Sequence, residues 1–492
     1  MSLKKLLLCA TFLCSITNQC ISSGFSEEIE TSDTKASAVR EGRASCPSMS
    51  MVISGFPEFS PKAQIVFEQV KRVIADAFSR YGYSPLETST FERVETIQAK
   101  GMVDKEIYAL RRLQAEEGEG DKDLALRFDL TVPLARYVAE HSNKLTFPFR
   151  RQAVGKVYRG EKASTGRYRE FYQFDADIIG RGTLDIIHDA EPPAMIHEIF
   201  DSLGIGEFVI RLNNRKILQG MFGSLGIEDP KKIKKAIRVV DSLEKVSRGE
   251  TVSQLIELGI APEKVDELID ILTTTAPNNS ILERLDLMAA SMEAGFKEGT
   301  DQLKAVYDAT LALGVPERRL RIDLGIARGL DYYTGTVYET NLLAAPDLGS
   351  ICSGGRYDEL ISKYAEARES FPGVGISIGL TRLLSNLFER GILRAETQSP
   401  AKVLVTTQDR ALLSSYQAIA ATLRRAGINT EIYYEDSRLG KQITSASKKG
   451  IPFVLIGNNS ELSSGNINVK NLLTGIQETI PVDVLAEYLR AH

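Results

Sequence analysis

One stretch limits what this chain can fold into more than any other: Phe147 to Gly180, FPFRRQAVGKVYRGEKASTGRYREFYQFDADIIG. Two strand-like runs flank a polar, basic loop from Glu161 to Arg167, bracketed by Gly160 and Gly166. That is the pattern of an antiparallel hairpin with a long loop. Side chains of a strand alternate between faces, so Arg169, Phe171, Gln173, Asp175 and Asp177 share one face. The other face carries Glu170, Tyr172, Phe174, Ala176 and Ile178, mostly apolar and suited to a core. The α-carbons of Gln173 and Asp177 lie about 13–14 Å apart at roughly 3.4 Å per residue, leaving about 6 Å between their side chains. A small polar molecule fits that gap. The same face also reads as the solvated side of a half-exposed sheet, and periodicity alone leaves the two readings level.

The string Tyr158-Arg159-Gly160-Glu161, followed by Gly166-Arg167-Tyr168-Arg169-Glu170-Phe171, closely resembles motif 2 of class II aminoacyl-tRNA synthetases. Its continuation through Gln173 and Asp177 resembles the histidyl-tRNA synthetases specifically. A second string, RGLDYYTGTVYE from Arg328 to Glu339, is similar to that family's histidine-specific motif almost letter for letter. From its residues alone it reads either as a clamp or as a hairpin with a buried aromatic pair. A guanidinium grips carboxylate or phosphate in two-pronged fashion, and Tyr332 and Tyr333 can wall an imidazole. The companion string SGGRYD, Ser353 to Asp358, resembles the second histidine motif, its glycines expected to let backbone approach the ligand.

Elsewhere the residues leave alternatives open. Leu124 to Tyr137 alternates and then meets Pro133. Asp129 and Thr131 share a face if that segment is extended, which suits an ammonium group; Thr131 also reads as a helix cap. Gly373 to Leu384 reads as a strand running into a helix whose stripe of Leu380, Leu383, Leu384, Leu387 and Phe388 leaves Arg382 outside it. Arg382 is either a solvated helix residue or, by resemblance, the motif 3 arginine. Gly375 to Gly379 also fits G-x-S-x-G. A hydrolase needs a histidine after the serine, and the only one is the terminal His492.

Asp185 to Leu203 reads as one amphipathic helix, with His188 and His197 as ordinary helix residues and no metal site fixed by histidines or cysteines. Lys62 to Tyr81 reads as an amphipathic helix; by resemblance it is motif 1, which implies a homodimer. Residues 215–318 are helix-rich and charged, like an inserted helical domain, and the basic run KKIKKAIR reads as a solvated face. After a linker at 391–401, short apolar strands at 403–407, 430–435 and 452–457 alternate with helical runs. That predicts a small α/β domain with a mostly parallel sheet, where the family places its anticodon-binding domain.

Composition adds bounds. A net charge of -5 argues against a nucleic-acid coat without excluding a local basic groove. Three of five cysteines fall in the first twenty residues, so no disulfide framework is expected and the body suits a reducing compartment. Lys4 and Lys5 precede an apolar run, Leu6 to Cys14, that resembles a secretory signal yet is too short to span a membrane. Residues 22–50 read as disorder. Residues 1–50 are thus a targeting peptide, a nonfunctional extension, or the product of a start placed too far upstream; the last two are favoured.

The expected fold class is an α+β catalytic domain on an antiparallel sheet over 51–400, with the helical insertion at 215–318 and a C-terminal α/β domain over 401–492. Neither a Walker P-loop nor the class I HIGH or KMSKS signatures occurs. The resemblance implies a ligase that activates L-histidine with ATP and Mg²⁺ and charges tRNA(His), in the cytoplasm, with organellar targeting by the extension left open. It implies that Arg159 and Arg328 are catalytic and stabilise the α-phosphate. By the same resemblance Glu161, Phe171 and Arg382 join Arg159 in holding ATP. Asp129, Leu130, Thr131, Gln173, Asp177, Tyr332 and Tyr333, with Arg159 and Arg328, hold histidine. The alternative is a silent, synthetase-like regulatory subunit of ATP phosphoribosyltransferase, which the presence of all three arginines argues against.

Overall fold

Ser60 starts the first helix, α1 (Pro61–Arg80): its hydroxyl accepts from the Ala63 amide at 3.4 Å, and Pro61 needs no amide partner in the first turn. The structure, a computed structural model, describes residues 52–98, 106–112, 123–163, 166–243, 246–327, 332–364 and 369–492. The readings of residues 1–50 and of Arg328 therefore fall outside the described residues.

Short strands β1 (Ser84–Pro85), β2 (Phe91–Arg93) and β3 (Leu124–Leu126) lead to helix α2 (Thr131–His141). The hairpin follows as β4 (Phe149–Tyr158) and β5 (Glu170–Ile179), paired antiparallel from Phe149 opposite Ile179 to Tyr158 opposite Glu170. Next come helix α3 (Glu191–Leu203), β6 (Phe208–Asn214), β7 (Leu320–Ile322), β8 (Thr336–Leu342), β9 (Ser350–Tyr357) and β10 (Gly373–Gly379). One eight-stranded sheet has the order β1-β4-β5-β10-β9-β8-β6-β7. It is antiparallel through its centre, with parallel pairs at its two edges, β1 on β4 and β6 on β7.

The apolar face of β5 is buried as its alternation predicts. Phe174, Ala176 and Ile178 belong to the main core, with Phe67, Val70, Ile74 and Phe78 of α1 above them. Phe78 meets Phe174 edge-on, ring centroids 5.4 Å apart. Burying such a ring stabilises by about 1.5–3 kcal/mol.

Asp185 to Leu203 is not one helix. Asp185 caps a 3₁₀ turn (Ile186–Ala190), and α3 begins at Glu191 with Pro192 and Pro193 in its first turn, where amides have no helical acceptor. His188 lies in the 3₁₀ turn and His197 on α3. Between β6 and β7 the described residues form six helices: α4 (Arg215–Ser224), α5 (Pro230–Asp241), α6 (Arg248–Glu257), α7 (Pro262–Leu272), α8 (Asn278–Ala289) and α9 (Ala294–Ala312). They do not enclose a core of their own. Ala236, Leu255, Leu268 and Leu285 are continuous with the apolar cluster beneath the large sheet, and α9 packs on α4 and β6.

After β10 the chain enters α10 (Leu380–Glu389), and beyond the linker a second sheet forms. Its strands are β11 (Val403–Val405), β12 (Thr430–Ile432), β13 (Phe453–Ile456), β14 (Asn466–Asn471) and β15 (Gln477–Pro481), in the order β12-β11-β13-β14-β15. Only the pairs β11–β12 and β11–β13 are parallel; β13–β14 and β14–β15 are antiparallel. The expected mostly parallel sheet is therefore a mixed one. Its last hairpin is largely polar, with Ile467 and Val469 of β14 buried in a core and Ile480 of β15 packed against it, so hydrophobic runs do not reveal it.

Candidate active site

The polar face of β5 floors a cavity of about 360 Å³. Phe171, Gln173, Asp175 and Asp177 line it in sequence alternation. Arg159 enters from the end of β4 and Glu161 from the loop beyond, while Arg382 comes from the first turn of α10. Asp129 and Thr131 arrive from the start of α2, and Tyr332 and Tyr333 from the segment before β8. Two arginines far apart in sequence thus share one cavity. Arg169, grouped with the strand face by alternation, lies before β5 and donates to the Glu161 carbonyl at 3.1 Å instead.

Asp177 is held on both sides. One carboxylate oxygen accepts from Arg151 Nη1 at 2.9 Å and the other from the Tyr357 hydroxyl at 2.8 Å. Arg151 has no solvent exposure and also donates to the Leu130 carbonyl at 2.6 Å. Leu130 itself does not line the cavity. Its side chain packs in a small apolar cluster with Ala153 and Val157, so it acts through its carbonyl on Arg151.

Asp129 caps α2, accepting from the Val132 amide at 2.9 Å. Thr131 is the first residue of that helix rather than its cap, and its hydroxyl bonds Tyr332. The Tyr332 and Tyr333 rings lie 4.7 Å apart, and Tyr332 meets Tyr357 edge-on at 5.9 Å. Burial holds the Tyr332 and Tyr333 phenols above their ordinary range, so they are neutral hydrogen-bonding walls.

The Arg159 guanidinium lies 4.5 Å from the Phe128 ring and 5.0 Å from the Phe171 ring, and its Nε donates to the Phe128 carbonyl at 3.3 Å. Burial lowers its pKa without discharging it. A half-buried cation held against ring faces is placed to act on any anion that enters the cavity beside it. Arg382 donates to the Leu348 carbonyl, which turns it from the helix surface toward the cavity.

Sequence reasoning missed Arg151, and it gave no separate role to Asp175 on the strand face, to Tyr357 within SGGRYD or to Ser377 within G-x-S-x-G. Asp175 is 1 % exposed and one of its oxygens has no hydrogen-bond partner. Burial and then the Asp177 charge push its carboxyl up to about 7, against the pull of Arg151 and a bond from Ser377. Asp177 is also raised, by burial, with Arg151 and Tyr357 opposing. Ser377 sits in mid-strand opposite Asp175 and Ser353, where it accepts from Gln173 Nε2 at 2.9 Å. It is no nucleophile elbow, which needs a sharp strand-to-helix turn at the serine.

The glycines of SGGRYD are required by close strand packing. A Cβ on Gly354 would lie 2.1 Å from the Gly375 carbonyl, and one on Gly355 would lie 2.5 Å from the Thr336 carbonyl. Arg356 points to the other face, in a buried pair with Asp189 at 2.8 Å. Among the described residues no group of three or more His, Cys, Asp or Glu side chains is arranged to hold a metal ion.

A family model described as histidyl-tRNA synthetase matches residues 55–383, and one described as an anticodon binding domain matches residues 402–492. Curated histidine–tRNA ligases of a Nostoc species and of Xanthomonas oryzae pv. oryzae are 42% and 43% identical over 449 and 453 residues. Those alignments cover 89% and 88% of this chain and 96% of each relative. A solved histidyl-tRNA synthetase from Nostoc superposes with a TM-score of 0.82 at 40% identity, covering 92% of this chain and all of that one. A Bacillus halodurans structure, described as an ATP phosphoribosyltransferase regulatory subunit/histidyl-tRNA synthetase, shares the fold at a TM-score of 0.66 and 19% identity. That alignment covers 81% of this chain and 97% of the Bacillus one.

Proposed function

The chain belongs to the histidyl-tRNA synthetase family, and we infer from that membership and from the cavity that it is a histidine–tRNA ligase. It activates L-histidine with ATP and passes the histidyl group to the terminal ribose of tRNA(His). One observation carries the reading: a single cavity joins Arg159 and Arg382 to the Gln173–Asp177 strand face and to Asp129, Tyr332 and Tyr333.

In this reading histidine lies along β5 with its ammonium group toward Asp129 and Thr131. Its ring meets Gln173, Asp177, Tyr332 and Tyr333. The nucleotide lies toward Phe171, Glu161 and Arg382. The histidine carboxylate attacks the α-phosphate and pyrophosphate leaves. Arg159 and Arg328 stabilise the charge on the α-phosphate, so the protein acts by positioning and electrostatics. Mg²⁺ arrives on the triphosphate and neutralises part of its charge; Glu161 is the acidic side chain on that side of the cavity.

The reading extends to a homodimer through α1, to residues 51–400 as the activating part, and to 401–492 as the tRNA-reading part. The C-terminal match to an anticodon-binding model supports the last and weighs against the regulatory-subunit alternative. No helix among the described residues is long and apolar enough to cross a membrane; a cytoplasmic site of action follows from where ATP and tRNA are found. The test is charging of tRNA(His) with labelled histidine. The reading expects ATP-dependent acid-precipitable label; a folded protein that forms none overturns it.

A further inference from the structure

We propose that Gly55 is a positioning residue for the nucleotide: its carbonyl straps the base of the loop between β4 and β5, and so sets where Arg159 and Glu161 meet ATP. The inference rests on the histidine-activating reading above. It goes beyond that reading by giving a role to residues 52–57, which do not line the cavity.

The edge of the sheet shows what the strap is for. β10 pairs with β5 only as far as Gly379 opposite Gln173. Past that point the amides at this end of β5 need other acceptors. Thr381 Oγ1 takes the Tyr172 amide at 2.8 Å. The Gly55 carbonyl takes two more, Arg169 at 2.7 Å and Glu170 at 3.1 Å. Arg169 relays that hold to the cavity. Its carbonyl accepts from the Arg159 amide at 2.9 Å, and its Nε donates to the Glu161 carbonyl at 3.1 Å. Both Arg159 and Glu161 line the cavity.

The other end of the loop is gripped as well. The Glu106 carbonyl accepts from the Gly160 amide at 2.8 Å, and the Phe56 ring lies 6.4 Å from that of Tyr108. Two segments thus hold the two ends of the loop and touch each other. The strap needs glycine at its contact point. Ile53 to Phe56 is a turn, closed by the Phe56 amide on the Ile53 carbonyl at 3.0 Å, with Gly55 at φ +85°. L side chains rarely adopt that conformation. A Cβ there would also lie 2.9 Å from Arg169 Cγ and 3.1 Å from Ala163 Cβ, so a side chain pushes the strap off Arg169. A gap of about 300 Å³ otherwise separates strap from loop; the junction rests on this carbonyl more than on apolar packing.

Hydrogen–deuterium exchange on the full chain without ATP is the first test. The peptide carrying Arg169 and Glu170 should exchange far more slowly than a free chain; free-chain rates in the unaltered protein overturn the inference without any variant. Gly55→Ala should speed that exchange and raise KM for ATP in ATP–pyrophosphate exchange by about three- to tenfold, the worth of one backbone hydrogen bond. KM for histidine should stay within about twofold, because the end given to histidine is built from the start of α2, the middle of β5 and the segment before β8. Phe56→Ala loosens the strap without adding a clash and should raise KM for ATP by about threefold, which keeps the test open if Gly55→Ala does not fold. A folded variant with KM for ATP unchanged makes the strap a structural tie only and overturns the inference. So does one in which both KM values rise together as the melting temperature falls. If the unaltered protein shows no histidine-dependent pyrophosphate exchange, the activating reading falls instead, and the deuterium result still decides whether the strap holds the loop.

Discussion

Gly375→Ala is the sharpest probe of how the sheet builds the end of the cavity that the proposed reading gives to histidine. A Cβ at this position would lie 2.2 Å from Asp177 Oδ1 and 2.8 Å from the Ala176 carbonyl. Carbon–oxygen contacts settle near about 3.3 Å, so the carboxylate must retreat by about 1 Å. Its bonds to Tyr357 and Arg151, 2.8 and 2.9 Å long, would stretch past about 3.6 Å, where a hydrogen bond no longer exists. Losing one bond to a charged group costs about 1.5–3 kcal/mol. If Asp177 shapes the ring site, that converts to a KM for histidine raised about 10- to 100-fold, at about 1.4 kcal/mol per tenfold. KM for ATP should stay within about twofold, because Arg159, Phe171 and Arg382 are untouched. Exchange kinetics with histidine varied at saturating ATP, together with a thermal melt, read both quantities. A folded Gly375→Ala protein with an unchanged KM for histidine would refute the reasoning.

Three further outcomes are expected. Arg151→Met strands the buried Asp177 charge and should lower stability by about 3–5 kcal/mol in urea unfolding; adding Asp177→Asn should recover most of it, and no recovery would deny the pairing its role. Asp175, whose folded pKa of about 7 lies above the unfolded value of 3.8, binds its proton more tightly in the folded state. Stability from this group is therefore present at low pH and lost as pH rises toward 7, so Asp175→Asn should raise the melting temperature above about pH 7 and leave it unchanged near about pH 4; an equal effect at both would contradict the raised pKa. Deleting residues 401–492 should spare adenylation and weaken tRNA charging, because the apolar core of the second sheet shares no residue with that of the first; unimpaired charging would contradict the anticodon-binding assignment.

The hairpin was legible because its signal is local. Period-2 alternation assigned Phe174, Ala176 and Ile178 to a core and Gln173, Asp175 and Asp177 to one polar face; that this face floors a cavity rather than meeting solvent needed the rest of the fold. Arg382 stood outside its helical stripe, which fits a solvated residue as well as a site residue; only the resemblance to motif 3 favoured the cavity it lines. Arg151 was not legible, although it faces Asp177 directly across the hairpin, because a buried arginine in an apolar strand reads as an edge charge until its partner is found. Asp175 stood on the correct face without a role, since its near-complete burial and the upward push on its carboxyl follow from packing that alternation does not show. The capping of α2 by Asp129 instead of Thr131 turns on where the first helical turn closes, which spacing does not resolve. The packing demand on the glycines of SGGRYD was not legible, because the atoms they avoid belong to strands β8 and β10, distant in sequence.

In the proposed function one cavity serves both the amino acid and the nucleotide, and amino-acid-dependent ATP–pyrophosphate exchange by the full chain tests that most directly. Histidine alone among the standard amino acids should drive the exchange. A folded protein that binds histidine and ATP separately yet exchanges no pyrophosphate would contradict it.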